Sequence, residues 1–116
     1  MMDKLFDTVV VTRDGNEIPS LELLQNEKHH LCGEIDTSNR DIYLKFSSRR
    51  ALYDFACSLL HEAVYGMGGQ KEFYPLISEG KALVVEGARL VEGSSRIFVI
   101  YGENDKQHSS SNSCGC

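Results

Sequence analysis

Residues 41–65 read DIYLKFSSRRALYDFACSLLHEAVY, and this stretch decides the fold class. Ile42, Leu44 and Phe46 alternate with Tyr43 and Lys45. That is the period-two pattern of a half-buried strand. Ser47 and Ser48 follow, and either hydroxyl suits a helix N-cap. Leu52, Phe55, Ala56, Leu59, Leu60, Ala63 and Val64 then recur at helical spacing. The spacing predicts a helix over about 49–65 whose apolar face, made of these residues, meets the core. Gly66 stands where a left-handed C-terminal cap would fall.

Downstream, GMGGQKEFYPLISEG at 66–80 reads as loop. KALVVEGARLV at 81–91 reads as a strand, with Gly87 marking a bulge or a close backbone approach. Residues 92–95 make a turn and RIFVIY at 96–101 another strand. So short a turn makes an antiparallel hairpin of these two strands. Upstream, residues 4–12 read as a strand, Asp14-Gly15 as a turn, and 17–24 as a returning strand kept to an edge by Pro19. A loop over 25–30 and a weakly alternating strand over 31–36 complete the pass. The expected class is α+β: an antiparallel sheet of five to six strands with the helix packed on one face.

The 116 residues make one domain, expected over 1–102, and 41% hydrophobic content is ordinary for a globular chain. Residues 103–116 contain no aliphatic residue and no Phe, Tyr or Trp. Such a Ser/Cys-containing tail cannot offset its ordering entropy by burial and is expected to be flexible. Twelve basic against seventeen acidic residues give a net charge of −5, which argues against a nucleic-acid partner. No apolar run is long enough to span a membrane, and MMDKLFDTVVV lacks the marks of a signal peptide. With four cysteines and no such signal, a reducing, cytoplasmic setting is expected.

The strands are more apolar than one helical cover explains. Ile97, Val99 and Tyr101 face one way and Phe98 and Ile100 the other, while ALVV at 82–85 and VVV at 9–11 are apolar on both sides. A half-solvated strand alternates instead. Three coverings are open: curvature with the loop bearing Met67, Phe73, Tyr74, Leu76 and Ile77, a second copy of the chain, or another protein. Tyr43, Tyr53, Tyr65 and Tyr101 suit an interface, though tyrosine is also a good strand former.

Chemistry-bearing residues are few. Cys114 and Cys116, with His108, offer soft ligands for zinc or copper, but two sulfurs complete no closed site. The same HSSSNSCGC run is of the kind found in precursor peptides whose Ser and Cys are modified by an enzyme. His29, His30 and Cys32, with Cys57 and His61, lack a standard zinc spacing. Gly66-Met67-Gly68-Gly69 follows a helix and lacks a phosphate-loop Lys-Ser/Thr. His61-Glu62 has no second histidine for a metalloprotease pattern, Ser58 and His61 have no recognisable orienting acid, and Asp41 with Glu62 is a pair any acidic chain offers. Arg49 and Arg50 open the helix against its dipole, unless Asp41 or Asp54 pairs with them.

The segment DIYLKFSSRRALYDFACSLLHEA, residues 41–63, resembles strand–helix segments of small bacterial toxin-immunity proteins and covers about a fifth of the chain. The resemblance implies a binder over an enzyme: a non-enzymatic protein-binding module, in its specific form an inhibitor that occludes a target. Net negative charge favours a basic toxin by electrostatic steering, and a homodimer is the other partner expected. Candidate contacts are Asp36, Asp41, Glu62, Tyr65, Glu72 and Tyr74. The alternative is a metal- or thiol-handling protein that works through its C-terminal cysteines.

Overall fold

The computed structural model describes residues 9–102. Within them the order is α1 (Leu21–Gln25), β1 (Leu31–Asp36), β2 (Asp41–Phe46), α2 (Arg49–Tyr65), β3 (Gln70–Phe73), β4 (Leu76–Ser78), β5 (Lys81–Val85), β6 (Ala88–Arg89) and β7 (Ile97–Ile100). The class is α+β with one main helix and antiparallel pairing. The strands do not join into one sheet of five to six. They form β1–β2, β3–β7 and the meander β4–β5–β6.

Local chemistry explains the division. Both turns of the meander are Glu-Gly pairs with positive φ at each residue: Glu79 (53°) and Gly80 (79°), then Glu86 (55°) and Gly87 (92°). That backbone matches the right-handed twist of a tight hairpin and folds 76–89 upon itself. The bulge expected at Gly87 is thus the second of these turns. β7 does not pair with the strand before it, because the intervening residues are taken by the edge of β1. Val91 donates its N–H to the Leu31 carbonyl (3.1 Å) and Ser95 to that of Gly33 (2.8 Å), while Gly33 donates to Ser94 Oγ (2.9 Å). Deflected there, β7 pairs with β3, placing Phe73 opposite Ile97. Residues 66–80, read as loop, therefore hold β3 and β4.

Upstream, residues 9–12 are not strand, and the expected returning strand over 17–24 is replaced by α1. Ser20 caps α1 by accepting the Leu23 N–H (3.2 Å). The buried Arg89 guanidinium donates to the carbonyls of Asn26 (3.1 Å), His29 (3.0 Å) and Leu24 (3.4 Å) at the far end of α1, and to Ala82 (3.1 Å). Burial lowers the Arg89 pKa. The segment expected over 4–8 and the tail 103–116, with His108, Cys114 and Cys116, lie outside the described residues.

α2 runs over the residues read from the sequence, capped by Ser48 Oγ, which accepts the Ala51 N–H (3.1 Å). Its end differs from expectation: Gly66 is extended (φ −71°), and glycine is needed because a Cβ there would lie 2.6 Å from the Glu62 carbonyl oxygen. The core gathers Leu31, Phe55, Phe73, Ala88 and Leu90, with Phe46, Leu59, Ile97 and Val99 at its margin. Phe55 is its hub, with ring centroids 5.4 Å from Phe46 and 4.8 Å from Phe73. Burying one such ring contributes about 1.5–3 kcal/mol.

Candidate functional site

The orientation of α2 reverses the expected one. Of the residues read as its core face, Phe55 is buried and Leu59 half-buried, but Leu52, Ala56, Leu60, Ala63 and Val64 are exposed. Leu52 is 49%, Leu60 41% and Val64 56% exposed. At 100° per residue these five positions fall in one continuous sector. Asp54, Ser58, His61, Glu62 and Tyr65 project from the opposite side, with Asp54 1% and Ser58 2% exposed.

The inward face stays polar because each group there has a dedicated partner on another element. Asp54 accepts both the N–H and the Oγ–H of Ser20 (2.9 Å each), and Arg50 lies 3.9 Å away as its i,i+4 partner. Ser58 donates to the Glu86 carbonyl in the second Glu-Gly turn (2.6 Å). Gly87 approaches Ser58 so closely that a Cβ would lie 3.1 Å from the serine Cβ. His61 Nε2 sits 2.9 Å from the Arg13 carbonyl. Tyr65 donates to the Val11 carbonyl (3.4 Å), and Arg13 lies 4.9 Å from its ring centroid. Buried polar groups must be paired in this way, and the pairs dock residues 11–20 and the meander onto the helix.

A cleft of about 600 Å³ opens along this seam, lined by Asp14, Ser58, His61, Glu62, Lys71 and Glu86 among others. Its charges are spent on one another. Lys71 Nζ lies 2.7 Å from Glu86 and 3.8 Å from Glu62, and Tyr101 donates to Glu62 (2.6 Å).

One hydrogen-bonded chain was not legible in the sequence: Ser48, His29 and Glu22. His29 Nε2 lies 2.8 Å from Glu22 and Nδ1 lies 2.6 Å from Ser48 Oγ. A carboxylate only accepts, so in neutral imidazole Nε2 carries the proton and Nδ1 accepts from Ser48. The His29 hydrogen bond holds the Glu22 carboxyl below its ordinary pKa. The connectivity is that of a nucleophile, base and orienter. Yet Ser48 Oγ is also the cap of α2, and neither the cleft beside Ser58 nor the hollows beside Tyr53 and Tyr74 are lined by Glu22, His29 or Ser48. The chain acts as a clasp between α1 and the start of α2.

The residues singled out from the sequence are dispersed. Asp36 and Asp41 face each other at the turn end of the β1–β2 hairpin, where Ser38 hydrogen bonds hold the Asp36 carboxyl below its ordinary pKa. Glu62 and Tyr65 share the inward side of α2. Glu72 pairs with Arg96, whose guanidinium also lies 5.8 Å from the Tyr74 ring centroid. Among the described residues no group of three or more His, Cys, Asp or Glu is placed to hold a metal ion. Burial pushes both described thiols, Cys32 and Cys57, up in pKa, which disfavours the reactive thiolate.

The exposed apolar surface extends beyond the helix. On the β1–β2 face that carries Leu31 and Phe46 into the core, the register also places Leu44, Ile35 and Ile42, and these three are exposed. β7 divides as its alternation predicts: Ile97 and Val99 pack on the core margin, while Phe98 and Ile100 are exposed. Among the described residues no helix is long and apolar enough to cross a membrane. No protein-family model, curated protein or solved structure matches this chain.

Proposed function

We propose that this chain is a non-enzymatic protein-binding module whose contact surface is the outward face of α2. The observation that carries the reading is the sorting of that helix: Asp54, Ser58, His61, Glu62 and Tyr65 are engaged inside the molecule, and Leu52, Ala56, Leu60, Ala63 and Val64 face out. Each large aliphatic side chain left in water forfeits up to about 1.5–3 kcal/mol that burial would supply. A contiguous apolar sector of this kind marks an association surface. The test is a photo-crosslinking residue at position 60, used in the producing cell, with exposed Lys81 as the control position. Protein adducts at 60 should exceed those at 81 several-fold. Equal yields at the two positions overturn the reading.

A second reading concerns the hairpin. Asp36 stands directly opposite Asp41, and like charges in that position ordinarily destabilise a strand pair. A local rule broken at an exposed acidic tip favours an inhibitor of immunity type acting on a basic toxin, steered by the net charge of −5. The same crosslinker at Tyr43 should then capture a basic protein. Capture of none removes this second reading and leaves the first intact.

A further inference from the structure

We propose that the occupant of the α2 face is α2 of a second copy, packed antiparallel about a two-fold axis level with residue 58. This rests on the protein-binding reading and names the partner.

Side-chain size supplies the first argument. In this register residue i meets residue 116 − i of the second copy. Leu60 then lies against Ala56, Leu52 against Val64, and Tyr53 against Ala63. Leu52, Ala56, Leu60 and Val64 find their counterparts among themselves, as an isologous interface requires, and Ala63 meets the half-buried Tyr53. An alanine stands opposite a large residue at two of the three levels, which lets the two helices approach closely. A parallel pair would instead set Leu60 on Leu60 and Ala56 on Ala56, crowding one level and leaving a void at the next.

Charge supplies the second argument and excludes the parallel arrangement independently. α2 has Arg49 and Arg50 at its start, no acidic residue in its first turn and no basic residue in its last. Within one copy this opposes the helix dipole. Antiparallel packing places Arg49 level with residue 67 of the second copy, beside the carbonyl-rich end of that helix, where a cation is favourable. The two Arg49 side chains then stand about 27 Å apart along the axis, at 1.5 Å per residue. That is well beyond the screening length of about 8 Å. Parallel packing would bring them together. No carboxylate intrudes, because Asp54 and Glu62 face inward.

The experiment is solution mass of the purified full-length chain under reducing conditions, combined with a photo-crosslinker at position 52. The wild type should give twice 13.0 kDa and dissociate on dilution. Leu60→Asp should weaken the dimer by about a hundredfold or more, with an unchanged circular dichroism spectrum and no fall in Tm when both proteins are compared at dilutions where each is monomeric. Arg49→Glu should weaken the dimer several-fold while leaving the monomer fold no less stable. Adducts from position 52 should map near Val64 of the second copy. Adducts near Leu52 itself, adducts within the same chain to residues 1–8 or 103–116, or a wild-type mass of 13.0 kDa at the highest soluble concentration each overturn the proposal. A monomer that still captures a different protein from position 60 in cells overturns the dimer alone; a monomer that captures nothing there overturns the binding reading too.

Discussion

The two sides of α2 obey opposite rules. Its inward side carries an acid, a serine, a histidine, a glutamate and a tyrosine, and each is matched to a named group on another element. Its outward side carries Leu52, Ala56, Leu60, Ala63 and Val64, all exposed. Polar contacts are directional and intolerant of error, so they fix where the N-terminal segment and the meander dock. Apolar contacts are directionless and tolerant. In this helix the apolar residues are divided: Phe55 and Leu59 serve the core, and Leu52, Leu60 and Val64 stay exposed.

Substitutions on the inward side should break that contrast most strongly. Asp54→Ala removes both acceptors of Ser20 and loosens α1 from α2 in one step. It should cost about 2–4 kcal/mol, read as a drop in the urea midpoint with α1 and α2 signals lost together. A loss under about 0.5 kcal/mol, the ordinary range of a surface change, would erase the distinction between the sides. Ser58→Ala removes one donor to the Glu86 carbonyl and should cost about 1–2 kcal/mol, with exchange of the second turn's amides accelerated more than that of the helix.

The smallest effect concerns the flap over the inward side. The Thr12 hydroxyl lies 2.8 Å from Glu17 and 2.9 Å from Asp14, and Thr12 donates its N–H to Glu17 (3.0 Å). These bonds, the Thr12 N–H foremost for Glu17 and its hydroxyl foremost for Asp14, hold both carboxyls below their ordinary pKa. A depressed folded value means the stabilisation is complete above the unfolded value and is lost as pH falls through the folded one. Below about pH 4 the protection factor of the Thr12 amide should fall while helicity at 222 nm is retained. Loss of both at one pH would mean that flap and helix open together.

Much of this architecture could be read from residues alone, and the misses share a cause. The period-two run at 42–46, the serine cap and the 3.6 period of α2 are local signals, and each stands where the sequence places it. The facing of α2 is not local. Asp54 and Ser58 are tolerable inside only because Ser20 and the Glu86 carbonyl, 34 and 28 residues away, meet them. Periodicity alone sees two acceptable faces and favours the greasier one. Gly80 closes the stretch read as loop, and Gly87 reads as a bulge or a close backbone approach; it is a turn, and it does approach Ser58 closely. β3 and β4 were hidden by the glycines that flank them and the proline between them. The apolar excess reads from the residues as a property of the strands, and Ile35, Ile42, Leu44, Leu83, Phe98 and Ile100 are indeed exposed there; the sector on α2 is the part that periodicity turned inward.

Arg89 imposes an order on how this chain is completed. α1 has only five residues, too few to persist alone in water. Its trailing carbonyls are gathered by a guanidinium 63 and 65 residues downstream. The helix that leaves the ribosome first is therefore finished only after the meander has been made, and a nascent chain halted before β6 would carry that stretch uncoiled.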